Sequence, residues 1–150
     1  MLSLLLFIVA LSENPGLDLV ELRTLFFSSE KSKKHCQELT AHTASVNEGS
    51  PAIEMGYKGM AHMMTAKHKK SPFKKLKHFN KGKKWLTLSL AKDPNSIEIR
   101  FLRLTVQENL PFFLGYRGDK EEDRLFVETH LDELPKGLLK EKIVEYLNKT

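Results

Sequence analysis

Arg100, Arg103 and Gln107 lie three and four residues apart in SIEIRFLRLTVQENL, a spacing that sets them on one stripe of a helix. Ile99, Leu102, Val106 and Leu110 flank the stripe on one side; Ile97, Phe101 and Leu104 flank it on the other. A helix apolar on both flanks is mostly buried, and two guanidiniums carried into such surroundings need acceptors, because an unpaired buried charge is very costly. Two arrangements would satisfy them. They can pair with core-edge carboxylates, for which Glu54 and Glu128 are candidates, or with helix C-terminal carbonyls. Alternatively they line a groove that takes a carboxylate or phosphate, which the planar Arg fork grips in two places. Asn109, Tyr116 and Arg117 would then complete its mouth.

Other chemistry-bearing residues lack partners at the required spacing. Cys36 is the single cysteine, which excludes an internal disulfide, and it reads as an inert, partly buried thiol. Histidines 35, 42, 62, 68, 78 and 130 form no ligand pattern and no HExxH. Gly56 and Gly59 sit inside a helical pattern rather than after a strand, so they build no phosphate loop, and no nucleophile elbow occurs. Glu121-Glu122-Asp123 opens a helix, where the dipole favours acids. The expectation is therefore no catalytic residue, no metal and no cofactor. Met55, Met60, Met63 and Met64 could form a soft binding groove; their helical spacing favours core.

The remaining chemical feature is charge. The formal net charge is +5, and it is unevenly placed. From Met55 to Lys92 there are eleven lysines and no acid, whereas Asp119–Thr150 holds nine acids against six Lys and Arg. Phe73, Leu76, Phe79, Leu86 and Leu90 fall on one helical arc, and Lys69, Lys70, Lys74, Lys75, Lys77, Lys81 and Lys84 form a basic face off it. Such a face is solvated by default. It also suits an acidic protein, an anionic membrane surface or a polysaccharide. Nucleic acid is disfavoured, because no RNA-binding aromatic motif or zinc-finger spacing accompanies the lysines.

The elements that must carry these residues are helices. Apolar spacing and breaker residues predict helices over 17–29, 31–45, 52–69, 72–92, 97–109, 121–134 and 136–148. Ser50-Pro51 and Ser71-Pro72 supply start signals, Asp93-Pro94-Asn95-Ser96 a stop and a new cap, and Pro135 the last break. Period-two alternation is almost absent, which excludes a strand-based fold.

Within this pattern Gly82, Leu86, Ser89 and Pro94 follow a small–large–small–Pro order, with Tyr57, Met60, Ala61 and Met64 as a matching first helix. This resembles a degenerate tetratricopeptide repeat over about residues 52–105. Gly82 and Ser89 would let a neighbouring helix approach closely, and Leu86 would fill the gap beside them. The link from Ala61 to Gly82 spans 21 residues, longer than the family's, so it carries an insertion that is largely the lysine stretch. SIEIRFLRLTVQENLPFFLGY, behind a signal-like start, also resembles a set of small uncharacterised exported bacterial proteins, a likeness that brings no activity. The resemblance implies an all-α fold of antiparallel helix hairpins in a right-handed, repeat-like stack of about six helices. The last helix, with Leu139, Ile143, Tyr146 and Leu147 on one face, would close the stack.

Leu2 to Leu11 is an apolar run broken only by Ser3, followed by Ala10-Leu11-Ser12 as a cleavage site. It is shorter than the roughly 20 apolar residues that a bilayer span needs. The expected organisation is a signal peptide over 1–12 and one helical domain over 13–150, exported to the periplasm. No Lys or Arg precedes the run, so either the α-amino group alone supplies its positive end or the true start lies upstream; retention of Met1 would place the chain in the cytoplasm. The function expected is a non-enzymatic binding module of the bacterial cell envelope, taking a protein segment or acidic ligand on the arginine groove or the lysine face. The alternatives are a small-ligand binder or enzyme built on Arg100, Arg103, Gln107 and Tyr116, and a cytoplasmic nucleic-acid binder using the basic face from Lys67 to Lys84.

Overall fold

The computed structural model describes residues 16–111 and 114–150, so the signal-like segment over 1–12 lies outside the described residues. Local chemistry starts most of the helices. Asp18 accepts the Val20 and Glu21 N–H groups at the head of α1 (Leu19–Ser29). Ser32 accepts the His35 N–H at the head of α2 (Lys33–His42). Ser71 and Ser96 cap α4 (Pro72–Lys92) and α5 (Ile97–Asn109) in the same way, with Pro72 in the first turn of α4. Each such cap contributes about 1 kcal/mol. The start of α3 (Ala52–His68) differs from the sequence expectation. Pro51 occupies the cap position without a side-chain bond, and the Ser50 hydroxyl instead accepts the Asn47 N–H at 3.0 Å in the preceding turn. After α6 (Lys120–His130) the chain tightens into one 3-10 turn (Leu131–Glu133), then forms α7 (Leu138–Lys149).

The described residues contain seven α-helices and no strand, an all-α arrangement in which successive helices pair. The α3–α4 hairpin is antiparallel along its length. Ser89 Oγ near the end of α4 donates to the Ala52 carbonyl at 2.6 Å, His62 meets His78 midway, and Lys75 near the start of α4 reaches the carbonyls ending α3. Small residues permit this contact: a Cβ on Gly82 would lie 2.8 Å from the Gly59 carbonyl oxygen and 2.9 Å from Met63 Cγ. Gly82, Leu86 and Ser89 are all buried on this seam. In the α5–α6 pair, Arg100 stacks over Phe126 while Gln107 meets Asp119, so these helices also run antiparallel.

The core is assembled from inward faces of all these pairs. Leu22, Leu39, Tyr57, Met60, Leu86 and Leu102 are essentially inaccessible and belong to one cluster. Phe101, Val127, Leu139 and Ile143 form a second, which docks α7 as the closing helix. Each fully buried large apolar side chain contributes about 1.5–3 kcal/mol. Polar bonds fix the register. Glu98 accepts two bonds from Arg23, at 2.8 and 2.7 Å, and one from the Tyr57 hydroxyl at 2.6 Å, tying α1, α3 and α5 together. Met55, Met60 and Met63 are core residues, whereas Met64 is half-buried. No helix of the described residues is long and apolar enough to cross a membrane.

Candidate binding groove and basic face

The arginine stripe of α5 meets the first turns of α6. Arg103 donates from Nε and Nη2 to the two Asp123 carboxylate oxygens at 2.6 and 2.8 Å. Arg100 Nη1 donates to Asp123 Oδ1 at 3.1 Å and to Glu122 at 3.0 Å, and its Nε to the Pro94 carbonyl at 2.9 Å. Gln107 Nε2 adds a fourth bond to Asp123 at 2.8 Å, and its Oε1 accepts the Asp119 backbone N–H at 3.0 Å. Asp123 is wholly buried, and the arginine side chains are 12 and 14% exposed. The acceptor is thus Asp123 rather than Glu54 or Glu128: Glu54 accepts the Leu17 N–H, and Glu128 pairs with Arg124. The reading of Glu121-Glu122-Asp123 as a plain helix start is corrected for Asp123. It supplies the charge that offsets two largely buried guanidiniums.

Tyr116 and Arg117, placed with this stripe on sequence grounds, form no hydrogen bond to it. The Tyr116 ring stands edge-on to Phe79 with 5.9 Å between centroids, and the Lys83 ammonium lies 5.3 Å from its face. Its hydroxyl is buried without a partner among the described residues, and burial pushes the phenol up to about 12. Arg117 Nε is likewise buried and unpartnered among the described residues.

A larger feature lies elsewhere: a half-open groove of about 810 Å³ between the end of α1, α3, the start of α4, α5 and α7. This falls within the size range of ligand sites. Phe26, Met60, Met63, Phe79, Phe101 and Val106 form its floor, and Met64, Leu76, Thr105 and Leu110 its walls. Lys31, Lys67, Lys75, Lys142 and Lys149 stand along it with only Glu30 and Glu145 as acids, a surplus of three positive charges. Glu30 is engaged by Lys67 at 2.6 Å, and Glu145 by Lys142 and Lys149. Asn109, expected at the arginine mouth, lines this groove and donates to the Tyr146 hydroxyl at 3.3 Å. The sequence reading missed the groove because its walls come from five helices far apart in the chain. Only the Met cluster signalled it.

The expected basic face is solvent-facing. Lys70, Lys74, Lys75, Lys77, Lys81 and Lys84 are exposed and Lys69 half-buried, and none of the seven is ion-paired among the described residues. The apolar arc of α4 is shorter than its spacing suggests: Phe79 and Leu86 are buried, but Phe73 is 79% and Leu76 46% exposed. At 100° per residue Phe73 falls about 120° from Phe79, off the seam.

At the base of this face His62 Nδ1 of α3 lies 3.5 Å from His78 Nδ1 of α4, with the rings stacked. Burial, then His78, Lys81 and Lys58, lower the His62 pKa from 6.5 to about 4. The unfolded chain therefore binds a proton that the folded chain refuses between pH 6.5 and about 4. This contribution is complete above pH 6.5 and declines as pH falls through that window. His62 is only half-buried, so solvent screening limits the loss to about 1–2 kcal/mol. Urea unfolding of wild type and His62→Gln at pH 7 and pH 5 should show the wild type losing more stability on acidification.

Cys36 is buried against the Thr65 hydroxyl at 3.6 Å, and burial raises its thiol pKa. Among the described residues no three His, Cys, Asp or Glu side chains are gathered to hold a metal. No protein-family profile matches the chain, and no curated protein or solved structure matches it at a significant level.

Proposed function

We propose that this chain is a non-enzymatic interaction module, built on tetratricopeptide-repeat-like hairpins, that takes an apolar protein segment bearing acidic residues. The groove between α1, α3, α4, α5 and α7 receives the segment's apolar face, and Lys31 and Lys75, not ion-paired among the described residues, meet its carboxylates. The observation that carries this reading is the pairing of an apolar floor with a lysine-rich rim in one cavity of about 810 Å³. An amphipathic helix laid into such a groove gains apolar burial along one face, and the rim selects the sign of its flanks. The Arg100–Arg103–Gln107 stripe serves the scaffold beneath, since its donors face Asp123, Glu122, Asp119 and the Pro94 carbonyl. The module works in the bacterial cell envelope, with residues 1–12 as its export signal.

Fluorescence anisotropy with a labelled Leu/Glu amphipathic peptide and its Leu/Lys counterpart tests the reading. The acidic peptide should bind and weaken with added salt, and the basic one should not bind. Thr105→Trp, which fills the groove from a half-buried position, should weaken binding at least tenfold, about 1.4 kcal/mol. Lys31→Glu with Lys75→Glu should do the same. Equal binding of both peptides, or unchanged affinity in Thr105→Trp, would refute it.

A further inference from the structure

We propose that the free end of the α3–α4 hairpin is a membrane foot that seats on an anionic lipid surface, with Phe73 entering the acyl boundary and a ring of lysines resting among the headgroups. These two helices, of 17 and 21 residues, outlast the 10 to 13 residues of the others. His68 and Lys67 tie the end of α3 to the end of α1, but Lys70 and every residue from Pro72 to Lys77 are exposed, so the turn into α4 stands in solvent. It nevertheless presents Phe73, 79% exposed, beside Pro72 and Leu76, in a protein that buries Phe26, Phe79 and Phe101. Nothing among the described residues covers it.

Charge names the occupant. Lys69, Lys70, Lys74 and Lys77 lie within four residues of Phe73 in the chain, none is ion-paired among the described residues, and no acid occurs between Met55 and Lys92. Lys69, Lys81 and Lys77 are close enough to His78 to lower its pKa, after the effect of burial, so positive charge gathers beside that ring as well. Exposed hydrocarbon set within unpaired lysines matches the layering of an anionic bilayer, where cations meet phosphate and carboxylate while an aromatic ring sinks below them. Nucleic acid would satisfy the lysines and leave Phe73 and Leu76 in water. The foot adjoins the groove, which Pro72, Lys75 and Leu76 also line, but Phe73, Lys69, Lys70, Lys74 and Lys77 do not line it, so substitutions at these five positions test the foot alone.

The test is co-sedimentation of the full chain with phosphatidylcholine vesicles, with and without phosphatidylserine. Binding should require phosphatidylserine and fall with salt. Lys69→Glu with Lys70→Glu and Lys74→Glu should reduce it more than a hundredfold, at about fivefold or more per charge. Phe73→Ser, which removes no core contact, should weaken it about tenfold. Phe73→Trp in a Trp85→Phe background should be quenched by lipids brominated on the acyl chain. Equal sedimentation with neutral and anionic vesicles would overturn the proposal. So would undiminished binding by Phe73→Ser without acyl-chain quenching, or tighter binding to duplex DNA that survives Phe73→Ser.

Discussion

Replacing Asp123 with alanine should cost about 3–5 kcal/mol of folding stability, the largest loss expected from any single polar substitution in this chain. Its carboxylate accepts four bonds from three side chains while fully buried, so removal takes away the one buried acceptor Arg100 and Arg103 share, leaving Arg100 over Phe126 with Glu122 and the Pro94 carbonyl and Arg103 with Asp119 at 3.3 Å. Glu122, two-thirds exposed, provides Arg100 with one weaker contact, and Glu122→Ala should cost less than about 1 kcal/mol. The double variant Arg103→Met/Asp123→Leu should recover much of the Asp123→Ala loss, because exchanging a buried ion pair for packed hydrocarbon is far cheaper than breaking it. Urea midpoints of the four proteins decide this. A loss below about 1 kcal/mol for Asp123→Ala would mean that the stripe is open to water and free to take a ligand.

Gly82→Leu should be at least as damaging, by about 3 kcal/mol or more, and Gly82→Ala should lose stability although alanine favours helix. At this crossing the nearest atom to a new Cβ is the Gly59 carbonyl oxygen, backbone that cannot rotate aside, with Met63 on the far side. Alanine gains at most about 1 kcal/mol of helix propensity, against about 1–3 kcal/mol for overpacking a tight seam. Thermal melts followed by far-ultraviolet circular dichroism provide the check. A Gly82→Ala melt equal to or above wild type would show that α3 and α4 can part without loss.

These two positions also mark how much could be read from residue order. Gly82, Leu86 and Ser89 disclosed the close helix contact because small residues at helical spacing have a local meaning. Several helix starts followed from Ser, Asp and Pro punctuation for the same reason, although Ser50 does not cap α3, and α2 and α6 end at His42 and His130, short of the expected 45 and 134. Arg100 and Arg103 disclosed that buried acceptors must exist, but not which ones. Asp123 lies 20 residues or more beyond them, and among three consecutive acids only the helix phase tells which points inward. Val127, four residues on and fully buried, carries that phase. Glu98 stayed hidden likewise, since its partners Arg23 and Tyr57 lie on other helices. Phe73 and Leu76 misled in the opposite direction: hydrophobic type suggested core, whereas the overhang of the hairpin leaves them in solvent.

The most direct test of the groove is an NMR titration of the protein, labelled at its methionine methyls and arginine Nε groups, with the acidic Leu/Glu peptide. If the groove is the working surface, the Met60, Met63 and Met64 methyls shift as peptide is added, while Met55 and the Nε signals of Arg100 and Arg103 stay in place. Shifts centred on Arg100 and Arg103 with Met64 unmoved would contradict it.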